Sequence, residues 1–148
     1  MSAVSEIVSS RPLITINTQN NPSALDVAKL MSKNKIGSVV VINVNNKPVG
    51  IITERDILRK IASENKKAQD VPAVEVMSSP LFTIRAMDSI DTAAEIMTRN
   101  KVKRLVVQEQ DGSITGILSV SDIAHKLAKI LADDYNRYRS LRTVLDLQ

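Results

Sequence analysis

Two short stretches of this sequence place the same kinds of polar residue at the same spacing. Residues 50–56 read Gly-Ile-Ile-Thr-Glu-Arg-Asp, and residues 116–122 read Gly-Ile-Leu-Ser-Val-Ser-Asp. The aliphatic pair suits the end of a buried strand, and a hydroxyl residue with an acid three positions later suits the first turn of a helix. A strand that turns directly into a helix presents backbone N–H groups and the positive end of the helix dipole. Each stretch therefore predicts a junction that favours an anionic ligand.

A simpler role also fits these residues. Thr53 with Asp56, and Ser119 with Asp122, have the spacing of helix-capping pairs, and each cap contributes about 1 kcal/mol to stability. A single copy would favour capping alone. Two copies in matching frames shift the balance towards a shared function, and both interpretations stay open at this point.

The two stretches belong to an internal duplication. From Ser23 onward the two halves align without a gap at an offset of 66 positions, which is the distance from Asp56 to Asp122. Lys35 aligns with Lys101, and Lys60 with Lys126. Self-similarity at a fixed period of this length indicates two copies of one structural unit.

Each copy is predicted to fold as β-α-β-β-α, with a helix that buries one apolar face and a final helix that begins at the polar motif. The repeats are placed at residues 4–63 and 74–130, joined by a polar linker at 64–73 and followed by a helical tail at 131–148. The first helical face is predicted from Ala24, Val27, Ala28 and Met31, its second copy from Ile90, Ala93, Ala94 and Met97, and the inward side of the motif helix from Ile57, Leu58 and Ile61.

The tail has no counterpart in the first half. Its apolar residues recur at near-helical spacing, and both tyrosines of the chain lie in it. Two interpretations stay open: the tail packs on its own domain, or it contacts a second subunit or a partner. The apolar residues are Leu127, Ile130, Leu131, Tyr138, Leu141 and Leu145.

Composition narrows the function classes. The chain of 148 residues has no cysteine and a single histidine, His125, so a thiolate nucleophile, a Cys-ligated metal and a histidine cluster are excluded. Only 2% of the residues are aromatic, which leaves no stacking platform for single-stranded nucleic acid. No apolar run approaches the length of a membrane span. We expect a cytoplasmic protein without enzyme activity or membrane contact, and its net charge of +4 suits anionic ligands.

The motif, the repeat length and the element order together resemble a tandem pair of cystathionine-β-synthase-type domains (CBS domains), also called a Bateman module. The resemblance covers residues 4 to about 130, and it indicates a stand-alone module. It implies an α/β (α+β) fold in which two β-α-β-β-α repeats pack around a pseudo-two-fold axis. It also implies a regulatory, energy-sensing role, with adenosine compounds such as AMP, ADP, ATP or S-adenosylmethionine bound in two clefts.

The resemblance also implies roles for individual residues. The motif aspartates, Asp56 and Asp122, hold ribose hydroxyls, while Thr53 and Ser119 meet phosphate. Each cleft borrows from the opposite repeat and takes its base pocket from the early strand and the turn before the hairpin. This pairs Asp122 with Thr15, Ile36 and Gly37, and Asp56 with Thr83, Val102 and Lys103. Two interpretations stay open for Arg55, Lys103 and Arg104. Either these cations lie near the Asp56 cleft and favour a phosphorylated ligand there, or one or more of them point to solvent, above all Arg104 at the start of a strand. Ser121 and Ser38 stand at the positions of Arg55 and Arg104 in the other copy.

The expected partners are an adenine nucleotide or S-adenosylmethionine as regulatory ligand, a second copy of the chain in a homodimer, and a regulated protein. No other cofactor and no metal is expected. A nucleic-acid- or protein-interaction module is the alternative, because the sequence pI is about 9.5 and the tail carries Arg137, Arg139 and Arg142. Acidic residues at 133, 134 and 146 offset these arginines.

Overall fold

A computed structural model describes residues 3–8, 13–79 and 81–146, without the side chain of residue 145. Across these ranges each copy begins with a short helix and then follows the predicted β-α-β-β-α order. They are α1 (Val4–Ile7), β1 (Thr15–Asn17), α2 (Ala24–Asn34), β2 (Ser38–Ile42), β3 (Pro48–Thr53), α3 (Glu54–Ile57), α4 (Ala73–Val76), β4 (Thr83–Arg85), α5 (Ile90–Asn100), β5 (Arg104–Gln108), β6 (Ile114–Ser119) and α6 (Val120–Asp146). A π-helical turn at Leu58–Ala62 extends α3, and short 3-10 turns occur at Thr18–Asn20 and Ala68–Asp70.

The strands form two sheets with the same topology, in the orders β1-β2-β3 and β4-β5-β6. In each sheet the first pair of strands is parallel and the second pair is an antiparallel hairpin. The helices α2 and α5 make the crossovers that the parallel pairs require. The predicted mixed α/β fold with two β-α-β-β-α repeats is confirmed.

The chain divides into two compact units, one of which combines two separate segments of the sequence. One unit comprises Pro12–Phe82, and the other comprises Met1–Arg11 with Thr83–Gln148. The short helix α1 therefore belongs with the second sheet: the Val4 N–H donates to the Asp88 carbonyl at 2.8 Å, and the Val4 side chain is fully buried. In the first unit, α4 takes the corresponding place and buries Val76. Each sheet is thus completed by a segment that precedes the other repeat's first strand.

The core of each unit consists of aliphatic side chains from the central strand, the hairpin and the crossover helix. Valines at 39–41 and their equivalents at 105–107 (Leu-Val-Val) are buried, as are Met31 and Met97. The predicted helical faces are confirmed for Ala24, Val27, Met31, Ala93 and Met97.

Two residues predicted to lie inward do not. Leu58 is 62% exposed, and Ala94 is also exposed. Each follows a core-facing residue by one position and is rotated from it by about 100° around the helix. Ile61, which was predicted to face inward together with Leu58, is buried in the core. The prediction was wrong for these two side chains because it drew the apolar stripe too wide.

Local capping fixes the ends of the crossover helices. The Ser23 hydroxyl accepts from the Asp26 N–H, and the Asp26 carboxylate accepts from the Ser23 N–H in return, which forms a capping box. In the first hairpin, Asn46 adopts a positive φ of 60°, as expected of the predicted Asn-Asn turn. In the second hairpin, the hydroxyl and N–H of Ser113 both donate to Asp111 and hold the pKa of its carboxyl below the usual value.

Both motif glycines lie against side chains from the segments that follow α1 and α4. A Cβ atom at Gly50 would lie 2.5 Å from the Sδ and 2.9 Å from the Cγ of Met77. A Cβ atom at Gly116 would overlap a methyl group of Val8. The close approach that a missing Cβ permits is therefore used for packing within each unit.

We expect Gly50→Ala to lower the free energy of unfolding by about 1–3 kcal/mol, the usual effect of overpacking a filled site. Trimming Met77 to alanine should recover part of that loss, because the added methyl group would then occupy the vacated space. Urea denaturation of the two single variants and the double variant measures the coupling. Strictly additive effects would show that the contact between residues 50 and 77 does not limit this position.

The long helix α6 begins in the motif of the second repeat and runs to Asp146. Every residue from 127 to 144 is exposed, so the interpretation that the tail packs on its own domain is wrong for these residues. No helix in the described ranges combines the length and apolar character needed to cross a bilayer.

Candidate functional site

The junction between β3 and α3 is a reciprocal cap built from Thr53 and Asp56. The Thr53 hydroxyl accepts from the Asp56 N–H at 3.2 Å, and the Thr53 N–H donates to Oδ2 of Asp56 at 2.9 Å. The Thr53 hydroxyl also lies 3.1 Å from the same oxygen and donates to it. The capping interpretation is therefore correct as geometry, and any ligand function is an addition to it.

The other oxygen of Asp56 is held from outside the motif. Oδ1 accepts from the Ser78 hydroxyl at 3.0 Å and forms an ion pair with the Lys60 Nζ at 3.2 Å. Lys60 also donates to the Val76 carbonyl at 2.8 Å. Asp56 is only 8% exposed, and its four contacts match the roughly four acceptor sites that a carboxylate offers. A ribose hydroxyl can bind this carboxylate only by replacing one of these donors.

The junction between β6 and α6 repeats the backbone part of this arrangement. The Ser119 N–H donates to Oδ2 of Asp122 at 2.9 Å, and the Asp122 N–H donates to the Ser119 hydroxyl at 3.1 Å. Asp122 is half-buried, whereas Asp56 is buried. The two junctions thus share a backbone geometry and differ in how far their carboxylates are exposed to solvent.

Each junction is tied to the turn that precedes the hairpin of the same unit. The Glu54 N–H donates to the Gly37 carbonyl at 3.1 Å, and the Val120 N–H donates to the Lys103 carbonyl at 3.0 Å. The expectation of free N–H groups at the helix start is therefore too simple, because the protein already uses the first one in each copy. The first N–H group of each helix start is thus not available to an anion.

Most of the remaining predicted site residues lie at or just before the first residue of β1, β2, β4 or β5. Within the first unit Thr15, Ile36 and Gly37 are half-buried. Within the second unit Thr83 and Lys103 are exposed, whereas Val102 and Arg104 are half-buried. Arg55 is exposed in the first turn of α3. The pairing of each turn with the motif of the opposite repeat stays a prediction.

Sequence reasoning missed Ser78 and Lys60 as neighbours of the motif aspartate. Signals for both were present. Lys60 lies four positions after Asp56, on the same face of the helix, and it recurs as Lys126. Ser78 belongs to the stretch Glu-Val-Met-Ser-Ser at 75–79, which echoes Glu-Ile-Val-Ser-Ser at 6–10. The contact was hidden because a segment distant in sequence delivers the serine.

A surface cleft of about 490 Å³ adjoins the first junction. Ile36 and Glu54 contribute to its wall, while Thr53 and Asp56 do not line it. Among the residues that the structure describes, no group of three or more His, Cys, Asp or Glu side chains is arranged to hold a metal ion.

Comparison with known proteins gives matches over most of the chain. The family model of the CBS domain matches residues 4–63 and 73–129. An uncharacterized protein from Methanopyrus kandleri is 35% identical over 101 residues, which are 68% of this chain and 52% of that protein. An uncharacterized protein from Methanocaldococcus jannaschii is 44% identical over 128 residues, which are 86% of this chain and 63% of that protein. The chain thus spans between about half and two thirds of the length of these relatives.

Solved structures match at similar coverage. A CBS domain protein from Pyrobaculum aerophilum, complexed with AMP, is 29% identical with a TM-score of 0.76, over 88% of this chain and 97% of that one. A CBS domain pair in complex with 5′-methylthioadenosine and S-adenosyl-L-methionine is 28% identical with a TM-score of 0.72, over 85% of this chain and 99% of that one.

Proposed function

The chain belongs to the CBS domain family, with one domain at residues 4–63 and a second at 73–129, and on this premise we propose that it is a regulatory sensor of adenosine nucleotides or related adenosyl ligands. The observation that carries the proposal is the repeated junction, in which a hydroxyl residue and an aspartate meet at the start of a helix in both units. Two relatives of the same fold are complexed with adenosine compounds.

The chemistry of the junction supports this ligand class. A carboxylate accepts hydrogen bonds from two neighbouring hydroxyl groups, which matches the 2′ and 3′ hydroxyls of a ribose. To accept a ribose hydroxyl, Asp56 must release one of its side-chain partners, Ser78 or Lys60. Positive side chains such as Arg55 suit the phosphate groups of AMP, ADP or ATP. Ligand binding would change the relative populations of the conformations of the chain, and the regulated protein would bind one of these conformations preferentially.

The nucleic-acid alternative gains no support from the tail. Arg137, Arg139 and Arg142 lie in one continuous helix. At about 100° per residue, Arg139 and Arg142 share one face, whereas Arg137 lies on the opposite side of the helix. Asp133 and Asp134 lie within one turn before Arg137 in the sequence. A duplex-binding helix would require these charges to form one stripe.

The proposal predicts selective stabilisation by adenosine ligands. A thermal-shift panel of AMP, ADP, ATP, S-adenosylmethionine, NAD and GTP should show a raised melting temperature with one or more adenosine compounds and none with GTP. A ligand that binds only the folded state adds about 2.7 kcal/mol of stability at a hundredfold excess over its dissociation constant.

The control is Asp122→Ala, assayed by calorimetric titration at a temperature where the variant is folded. If the aspartate holds the ribose, its affinity for the selected ligand should fall, although the cap contributes only about 1 kcal/mol to folding. Wild-type affinity in a folded variant that lacks both motif aspartates would return the junctions to a purely structural role. Absence of any shift at millimolar ligand would reject the sensor itself.

A further inference from the structure

The exposed part of α6 presents a continuous apolar stripe that nothing in the described chain covers. Leucines, an isoleucine, a valine and two tyrosines of this segment are between 42% and 64% exposed. Scattered apolar residues are normal on a surface, but a stripe of this length marks an interaction site. The side chains are Leu127, Ile130, Leu131, Tyr135, Tyr138, Leu141 and Val144.

The stripe has the period of a two-helix seam. With Leu131 and Tyr138 at position a of a heptad, Leu127 and Leu141 fall at position d, and Ala124 opens the pattern at a. An a/d repeat sustained over about three heptads is the pattern by which helices pair through interlocking side chains. The one charged residue in the seam is Asp134, also at d.

Asp134 determines which pairing is acceptable. In a parallel pair, each d residue faces its own copy, so two Asp134 carboxylates would meet in a partly desolvated seam, which is unfavourable. In an antiparallel pair, a residues face d residues. If the two helices cross at position 136, Asp134 faces Tyr138 of the second copy, whose hydroxyl can donate to the carboxylate.

The same antiparallel register satisfies the other apolar positions. Leu131 faces Leu141 of the second copy, and Ile130 lies on the same flank as Val144 of the second copy. All of these contacts form in one register. The antiparallel helix dipoles also stabilise the pair slightly. The stripe is thus complementary to itself in one orientation.

We propose that residues 124–144 of α6 form an antiparallel helix pair with the same segment of a second copy of this chain. The stripe binds α6 of the second copy, and the Asp134–Tyr138 contact selects the antiparallel orientation. The pairing does not depend on the ligand-sensing function proposed above.

The absence of cysteine from the chain makes directed disulfide formation a clean test. The proteins Leu131→Cys and Leu141→Cys are prepared separately, mixed, and equilibrated in a glutathione redox buffer. We expect a mixed 131–141 disulfide as the main dimer, and little dimer when either protein is oxidised alone. Ser140→Cys, which lies away from the seam, is the matched control for random collision.

Disulfides that form mainly between identical positions would show a parallel pair and overturn the proposal. Mixed disulfides no more abundant than with the Ser140→Cys control would also overturn it and assign the stripe to a different protein.

A second measurement tests the contact that selects the orientation. Tyr138→Phe keeps the apolar ring but removes the hydroxyl that meets Asp134, so the yield of the mixed disulfide should fall several-fold in its presence. Tyr135→Phe removes a hydroxyl at the edge of the stripe and should leave the yield unchanged. Equal yields in the two variants would reject the Asp134–Tyr138 contact.

Discussion

Asp56→Ala is expected to lower the free energy of unfolding by about 3 kcal/mol. The substitution removes the carboxylate half of the capping box, and losing a cap costs about 1 kcal/mol. Asp56 is also buried and accepts from Ser78 and Lys60, and losing a hydrogen bond to a charged group costs roughly 1.5–3 kcal/mol. The Lys60 side chain is 41% exposed, so its ion pair adds little to this sum.

Ser78→Ala is the matched control for this measurement, because it removes one donor to Asp56 and leaves the capping box in place. Urea denaturation of each variant without ligand gives the two losses directly. The double variant Asp56→Ala/Ser78→Ala should lose less than the sum of its single variants, since the serine hydroxyl has then no carboxylate to lose. Strictly additive losses would show that the Ser78 hydroxyl does not stabilise the first junction through Asp56.

Substitutions at residues 55 and 121 are expected to change the affinity for phosphorylated ligands. Arg55 lies in the first turn of α3, where a cation opposes the helix dipole and costs locally about 0.3–1 kcal/mol. The equivalent residue of the second copy is Ser121. We expect Arg55→Ser to weaken ATP binding by about tenfold through the loss of a charge-assisted hydrogen bond.

Adenosine is the control ligand for this exchange. Its affinity should be unchanged in Arg55→Ser, because it carries no phosphate, and the salt dependence of ATP binding should become shallower. The reverse variant, Ser121→Arg, should strengthen ATP binding and steepen its salt dependence. Calorimetric titrations at low and high salt measure both effects. If ATP and adenosine lose the same affinity, Arg55 does not contact phosphate, and the two motif copies do not differ in their preference for phosphorylated ligands.

The repeated unit was predictable because its signals are local. The period-3.6 faces around Met31 and Met97 fix two helices, and the β-branched runs that include Val40 and Val106 fix the central strands. The hydroxyl-x-x-acid motifs also predicted correctly that Thr53 and Ser119 cap the helices that follow. The same spacing in both copies made these assignments mutually consistent.

Features that depend on distant parts of the chain were not predictable in this way. The Ser78 hydroxyl reaches Asp56 across 22 positions, and no periodicity reports such a contact. The exposure of Leu58 and Ala94 was also missed, because each differs from the core-facing residue before it only by a rotation of about 100° around the helix. The tail pattern predicted a helix, but whether that helix packs on its own unit depends on surfaces that the local sequence does not encode.

The exchange of α1 into the second unit has a consequence for how the chain acquires its structure during synthesis. The first unit is continuous in sequence, Pro12–Phe82, so it can close as soon as its last residues emerge. The hydrogen bond from Val4 to Asp88 can form only after the ribosome has synthesised the first unit and the start of the second. Until then α1 has no partner for this bond. Closing so long a loop costs conformational entropy before any contact repays it, and such non-local contacts slow folding. The second unit should therefore be the slower to form, with α1 as a segment that remains unpaired in the nascent chain until β4 has been translated.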